Sequence, residues 1–204
     1  AALEQQRGGA FAAMRAVVSV PVTVKCRLGV DDQDPEESLF RFVEATAKAG
    51  CDVFIVHARK AWLEGLSPKE NREIPPLDYD IVRRLKRTRP QLPGGLNGGL
   101  VSLGAAGNPP EEFCGVLFGR ARHWEPYIVA EVDRRLYGDG APPPSPEEAA
   151  RAMLAYVRRW SAAGVRPHQI TRHMIGLYHG RPRARLWRRR LSEAGAVAGP
   201  ETLE

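Results

Sequence analysis

The sequence is short of cysteine, lysine and aromatic residues, and it contains no long apolar run. Its three cysteines, Cys26, Cys51 and Cys114, stand singly, which excludes a disulfide framework and a paired-thiolate zinc site alike. No metal site is expected. No stretch approaches the roughly 18 consecutive apolar residues of a membrane span, so no membrane partner is expected either. The opening residues, AALEQQRGGAFAAMRAV, lack the apolar core of a secretory signal, and the expected compartment is the cytoplasm. What remains is a chain of 204 residues, 43% hydrophobic and 26% charged. That composition excludes disorder and leaves room for one sizeable domain, or a small one with an appendage.

The scarcity of lysine makes the charge distribution unusual. Of 30 basic residues only five are lysines (Lys25, Lys48, Lys60, Lys69 and Lys86); the rest are arginines. Residues 1–150 hold 19 basic against 21 acidic side chains, net −2, whereas residues 151–204 hold 11 arginines against Glu193, Glu201 and Glu204, net +8. A basic tail on a mildly acidic body suits a polyanionic partner such as nucleic acid. It suits equally a solvated, arginine-rich helix face.

Periodicity supplies the elements. Phe11, Met14 and Val17 recur at helical spacing, closed by Val20-Pro21. A β-branched run, Val22 to Arg27, precedes the acidic loop 31–37, whose proline and carboxylates start a helix carrying Leu39, Phe42, Val43, Thr46 and Ala47 to Gly50. Val53-Phe54-Ile55-Val56 is a second strand, ending in His57-Ala58-Arg59. Residues 60–79 form a loop too long for a plain connection, the kind that serves as a lid or binding loop. Residues 78–89 return as a helix with Ile81, Val82 and Leu85 inward.

Two further strand ends follow, Leu96-Asn97-Gly98-Gly99 and Gly115 to Arg120, giving the strand–helix alternation of a parallel α/β sheet. The residues 91–96, with Pro93, Gly94 and Gly95, are unpromising as a central strand, and 103–110 break a helical pattern twice. A glycine and proline linker at 138–144 coincides with the charge break and separates an expected domain 1–138 from a domain 139–204 with helices near 145–162, 167–179 and 183–194.

The polar residues gather at the C-terminal ends of the strands: Lys25 and Arg27, His57 and Arg59, Asn97-Gly98-Gly99, and Gly119-Arg120. Parallel α/β barrels draw their catalytic groups from those ends, and a glycine turn admits a phosphate to the backbone. Singly each is ordinary. NGG is commonly a turn, and a lone histidine is commonly a structural one; their joint placement points to a site.

The motifs resemble a known family. Val22-Thr23-Val24-Lys25-Cys26-Arg27-Leu28-Gly29, the run Phe54 to Tyr79 containing His57-Ala58-Arg59-Lys60-Ala61-Trp62, then Asn97-Gly98-Gly99, Gly119-Arg120, Pro126-Tyr127, Ile170 to Met174 and Ala184 to Glu193 are similar, in order, to the tRNA-dihydrouridine synthases, specifically their A-type subfamily. The resemblance implies an α/β fold: the C-terminal half, strands five to eight, of a TIM (β/α)8 barrel, followed by a small all-α helical domain that binds tRNA. It implies FMN as cofactor, NADPH as reductant, and reduction of uridine to dihydrouridine in the tRNA D-loop.

By the same resemblance Lys25 contacts the flavin ring, His57 lies beside flavin and base as a supporting residue, and Asn97, Gly98, Gly99, Gly119 and Arg120 hold the FMN phosphate. Arg27 and Arg59 face phosphate or RNA, and Arg59, Arg172, Arg185, Arg188 and Arg189 are the RNA-binding candidates. The family's Gly-Cys-Pro-Ser motif and cysteine acid lie in its first half-barrel and have no counterpart in these residues. No confident catalytic residue is therefore assigned, and each of the three cysteines is expected to be a small buried residue. The chain reads as an N-terminally truncated, impaired enzyme, with a catalytically inactive tRNA-binding remnant as the alternative. Self-association of half-barrels is one way to cover the open sheet edges.

Overall fold

A computed structural model describes residues 2–103 and 113–197. These form two compact units, one of residues 2–100 and 113–118, the other of residues 101–103 and 119–197. The units therefore part earlier in the chain than the linker at 138–144.

The first unit is an α/β layer. Its elements are α1 (Ala2–Val17), β1 (Thr23–Arg27), α2 (Pro35–Lys48), β2 (Val53–His57), α3 (Tyr79–Thr88), β3 (Gly94–Asn97) and β4 (Gly115–Leu117). The four strands pair in chain order, β1-β2-β3-β4, all parallel. Capping sets the helix starts. The Asp34 carboxylate accepts from the Glu37 amide at 2.7 Å, with Pro35 in the first turn, and Asp78 caps α3 by accepting from Ile81 at 3.1 Å. Gly50, at φ 90°, turns the chain out of α2 into β2.

Alternation along the strands divides the sheet into two faces. Val24, Cys26, Phe54, Val56, Leu96 and Val116 join Leu39 and Val43 of α2, Ile81, Val82 and Leu85 of α3, and Phe11 of α1 in one apolar core. Residues of the other parity, including Lys25, Ile55, Gly95 and Gly115, turn away from those helices.

β3 corrects the reading of 91–96. Gly94–Asn97 is a central strand with a parallel neighbour on each side. Pro93 stands just before it and needs no amide there, while its carbonyl accepts from Phe54 at 3.0 Å. Pairing from both sides outweighs the weak propensity of two glycines. The unpromising helix at 103–110 falls largely outside the described residues. β4 is shorter than expected, because Arg120 already begins a helix.

The described elements of the second unit are helical: α4 (Arg120–Trp124), α5 (Val132–Leu136), α6 (Pro146–Ala162), α7 (Pro167–Thr171) and α8 (Ala184–Val197), with a 3-10 turn at Pro126–Val129. A capping box opens α6: Ser145 Oγ accepts from the Glu148 amide at 3.2 Å, and the Glu148 carboxylate accepts from the Ser145 amide at 2.7 Å. The helix expected over 167–179 ends at Thr171, and successive turns carry the chain to Gly180. Within those turns Gly176 makes a close approach. A Cβ there would collide with the Trp124 carbonyl, so the backbone passes directly over the end of α4.

Candidate functional site

Register aligns the polar strand ends. Arg27 pairs with His57, His57 with Asn97, and Asn97 with Leu117, a single row across the C-terminal edge of the sheet. One step back, Lys25, Ile55, Gly95 and Gly115 form a second row on the same face. The sheet thus brings Lys25, Arg27, His57 and Asn97 together from three strands, on the face opposite the helices. Lys25 is exposed, whereas His57 and Asn97 are buried.

Arginine anchors the long loop to this edge. Arg27 Nη1 donates to the carbonyls of Lys60 and Asn71, both at 2.8 Å. Arg59 Nη1 donates to the carbonyl of Glu73 at 3.0 Å and to that of Pro75. The Asn71 side chain closes the loop on itself, its amide donating to the Trp62 carbonyl at 2.5 Å and its oxygen accepting from the Trp62 amide at 2.7 Å. Asp31 accepts from the Leu63 amide at 2.7 Å. Charge-assisted bonds of this kind rank among the stronger contributions to local order.

The Asn97-Gly98-Gly99 turn is shaped by close contact. Gly98 and Gly99 hold φ of 103° and 65°, and a Cβ on Gly99 would overlap Leu77 and stand 2.9 Å from the Tyr79 hydroxyl. That hydroxyl donates to the Gly98 carbonyl at 2.6 Å. A Cβ on Gly98 would stand 3.4 Å from His57 Nε2, so the imidazole lies against the turn. Asn97 Nδ2 donates to the Leu117 carbonyl at 2.7 Å and ties β3 to β4.

Positive charge dominates this edge. Partial desolvation of the otherwise exposed Lys25 ammonium, reinforced by Arg27, lowers its pKa. Burial, with repulsion from Arg59 and Arg72, likewise lowers that of Arg27. Cations held this close favour an anion that relieves them. Burial raises the Tyr79 hydroxyl against the opposing pull of Arg59 and Arg83.

The other sequence candidates lie in the second unit. Gly119 and the exposed Arg120 begin α4, Arg172 closes α7, and Arg185, Arg188 and Arg189 are exposed on α8, Arg189 lying 3.6 Å from Glu193. Of the cysteines, Cys51 is buried and Cys26 half-buried, but Cys114 is exposed, which corrects the expectation for that residue. It stands before β4, where its amide donates to the Gly94 carbonyl at 2.9 Å.

The dihydrouridine synthase (Dus) family model matches residues 8–203. The chain belongs to the dihydrouridine synthase family. Among curated relatives, a protein of Shewanella oneidensis named tRNA-dihydrouridine(20/20a) synthase is 51% identical over 181 residues, 89% of this chain and 54% of that protein. Proteins of the same name from Escherichia coli K12 and Vibrio cholerae are 50% and 48% identical, over 93% and 89% of this chain and 55% and 56% of their own lengths. The chain therefore spans about half the length of the curated relatives it matches.

Three residues of this strand-end region carry roles that sequence reading did not assign. Asn71 closes the loop, Tyr79 pins the glycine turn, and Leu77 fills the space that the glycines leave. Asn71 sits between loop prolines and Tyr79 ends the same run, yet neither position announces a backbone partner. Among the described residues no group of three or more His, Cys, Asp or Glu is placed to hold a metal ion, and no helix is long and apolar enough to cross a membrane.

Proposed function

We propose that this chain is the flavin-holding and tRNA-binding portion of a tRNA-dihydrouridine(20/20a) synthase, reducing uridine to dihydrouridine in the tRNA D-loop with FMN as cofactor and NADPH as reductant. The observation that carries the reading is 50% identity over 93% of the chain to a relative of that name. Four parallel strands in unbroken chain order support an assignment as strands five to eight of a TIM barrel. Residues 139–204 are the proposed helical tRNA-binding domain, with residues 1–138 as the proposed partial barrel.

The residues suit a flavin. Gly95 and Gly115 neighbour one another in the row that Lys25 begins, and a Cβ on Gly115 would meet nothing within 4 Å. Ile55 stands between Lys25 and this glycine pair, so one apolar side chain followed by bare backbone offers a flat surface to a planar, electron-accepting ring. FMN, when bound, supplies hydride to C6 of the uracil. Lys25 offsets negative charge at the ring edge, and His57, fixed against the Gly98 turn, orients ring and base. Asn97, Gly98 and Gly99 are the proposed phosphate ligands of the first unit; Gly119 and Arg120 are phosphate candidates on the resemblance alone. Arg59, Arg172, Arg185, Arg188 and Arg189 are the proposed RNA contacts.

Protonation at C5 finds no donor among the cysteines. Cys26 faces the helices, and burial pushes its thiol up to about 12. Cys51 is buried, and Cys114 stands at the opposite end of the strands from His57. The Gly-Cys-Pro-Ser segment does not occur in these 204 residues. We therefore expect flavin uptake with little dihydrouridine formation by this chain alone.

Titrating the purified chain with FMN, then supplying NADPH and tRNA from a strain lacking dihydrouridine, tests the reading. Quenched flavin fluorescence that weakens in Lys25→Met supports it. A chain that takes up no FMN yet binds tRNA in a salt-sensitive manner is the inactive remnant instead.

A further inference from the structure

The second unit contains a concavity of about 610 Å³, lined by His123 and Trp124 of α4, Arg172, Ile175, Gly176, His179, Gly180, and Ala184 and Arg188 of α8. None of its lining residues is acidic. Two guanidinium groups and two imidazoles surround it; one imidazole, His179, lies with Nδ1 3.3 Å from the Glu125 carboxylate behind it. Its volume suits a single nucleotide-sized ligand.

Trp124 gives the concavity its character. The side chain is 67% exposed although it belongs to a helix rather than a mobile tip. Its backbone is fixed from beneath, since Gly176 passes so close that any Cβ would strike the Trp124 carbonyl. His123 packs edge-on against the indole, ring centroids 5.5 Å apart. An exposed indole on an immobile backbone is a preorganised stacking surface, available without the ordering cost a flexible loop would incur. The opposite wall follows from Arg183, held at φ 66°, which turns the chain into α8 so that Ala184 and Arg188 border the same space.

An aromatic face flanked by guanidinium groups is the chemistry that receives an unstacked base with its backbone phosphate. Stacking holds the base without regard to sequence, and arginine holds the phosphate. An acidic peptide would use the cations but leave the indole bare. We propose that this concavity binds one unpaired nucleotide of the RNA, its base stacked on Trp124 and its phosphate held by Arg172 and Arg188. The inference rests on the tRNA reading above and deepens it: the second unit prefers single-stranded RNA, as in a loop, over duplex.

The test needs neither flavin nor turnover, so its outcome is independent of FMN uptake. Fluorescence anisotropy of a labelled oligouridylate and of an RNA duplex of equal length is measured with the full 204-residue chain. Trp124→Ala lowers single-strand affinity by about tenfold and duplex affinity little. Trp124→Phe retains most of the single-strand affinity, whereas Trp124→Leu, which keeps apolar bulk without a π-face, behaves as the alanine variant. Arg172→Gln with Arg188→Gln reduces the steepness of the log–log salt dependence by about 1.4 for the single strand. Equal binding by the leucine and phenylalanine variants overturns the proposal, as does an equal loss of single-strand and duplex affinity in Trp124→Ala. Unchanged oligouridylate affinity with retained binding of polyglutamate would assign the concavity to acidic peptide instead.

Discussion

Arg27 Nη1 and the Asn71 carbonyl lie 2.8 Å apart, joined across 44 positions of sequence. The same nitrogen reaches Lys60, so one strand-end side chain holds both limbs of the 60–79 loop. Replacing Arg27 with alanine leaves two carbonyls without that donor, each such charged hydrogen bond being worth about 1.5–3 kcal/mol. Limited proteolysis is expected to cut within 60–79 several times faster in Arg27→Ala. Arg27→Lys restores part of the protection, since both bonds leave one nitrogen and an ammonium carries donors enough for two carbonyls, though on a more flexible stem.

Two glycines one strand apart make opposite predictions. Gly99→Ala forces a Cβ into Leu77 at positive φ, and such strain costs about 1–3 kcal/mol. Gly115→Ala meets open space and leaves the urea midpoint close to that of the unsubstituted chain. If the glycine floor receives a flavin, Gly115→Ala weakens FMN uptake all the same. Equilibrium unfolding and flavin fluorescence on the two variants separate the effects.

Thiol chemistry follows burial. Iodoacetamide at about pH 8 labels the exposed Cys114 first, and Cys114→Ser removes that fast phase. Cys26 reacts slowly because burial, partly offset by Lys25, raises its pKa from 9.0 to about 12. A folded-state pKa above the unfolded one stabilises the neutral thiol fully below 9.0, and that contribution is lost as pH climbs toward about 12. Cys26→Ala therefore flattens the fall of stability over that alkaline window, read from urea midpoints at successive pH values.

The cap of α6 offers a local test. Ser145→Ala removes the acceptor for the Glu148 amide and half of the capping box. A loss of about 1 kcal/mol is expected, and Ser145→Asp recovers most of it. Helical circular dichroism against temperature reads both.

Much of the first unit was legible in the sequence because its signals are local. Asp34-Pro35 and Asp78 announce α2 and α3, and β-branched runs announce β1 and β2. β3 was legible only at its end, Leu96-Asn97: Gly94 and Gly95 carry no strand signal, and it is neighbours on both sides that make them extend. The end of α7 at Thr171 was not legible either, and the passage of Gly176 over Trp124 that follows it is a contact between residues far apart in sequence. Lys25, His57 and Asn97 were legible as strand ends, but the loop-anchoring work of Arg27 and Arg59 was not. An arginine beside a site reads as a ligand contact until its backbone partners are seen.

The unbroken order of the sheet bears on how the chain acquires its shape during synthesis. Each strand pairs with the one made just before it, so no pairing within β1-β2-β3-β4 has to wait for a later segment to insert between two strands. Weak β3 then arrives at an edge already formed, where the hydrogen bonds its own residues cannot nucleate are offered by Phe54 to His57. The order permits vectorial assembly, in which the strand least able to form by itself is templated by the one before it.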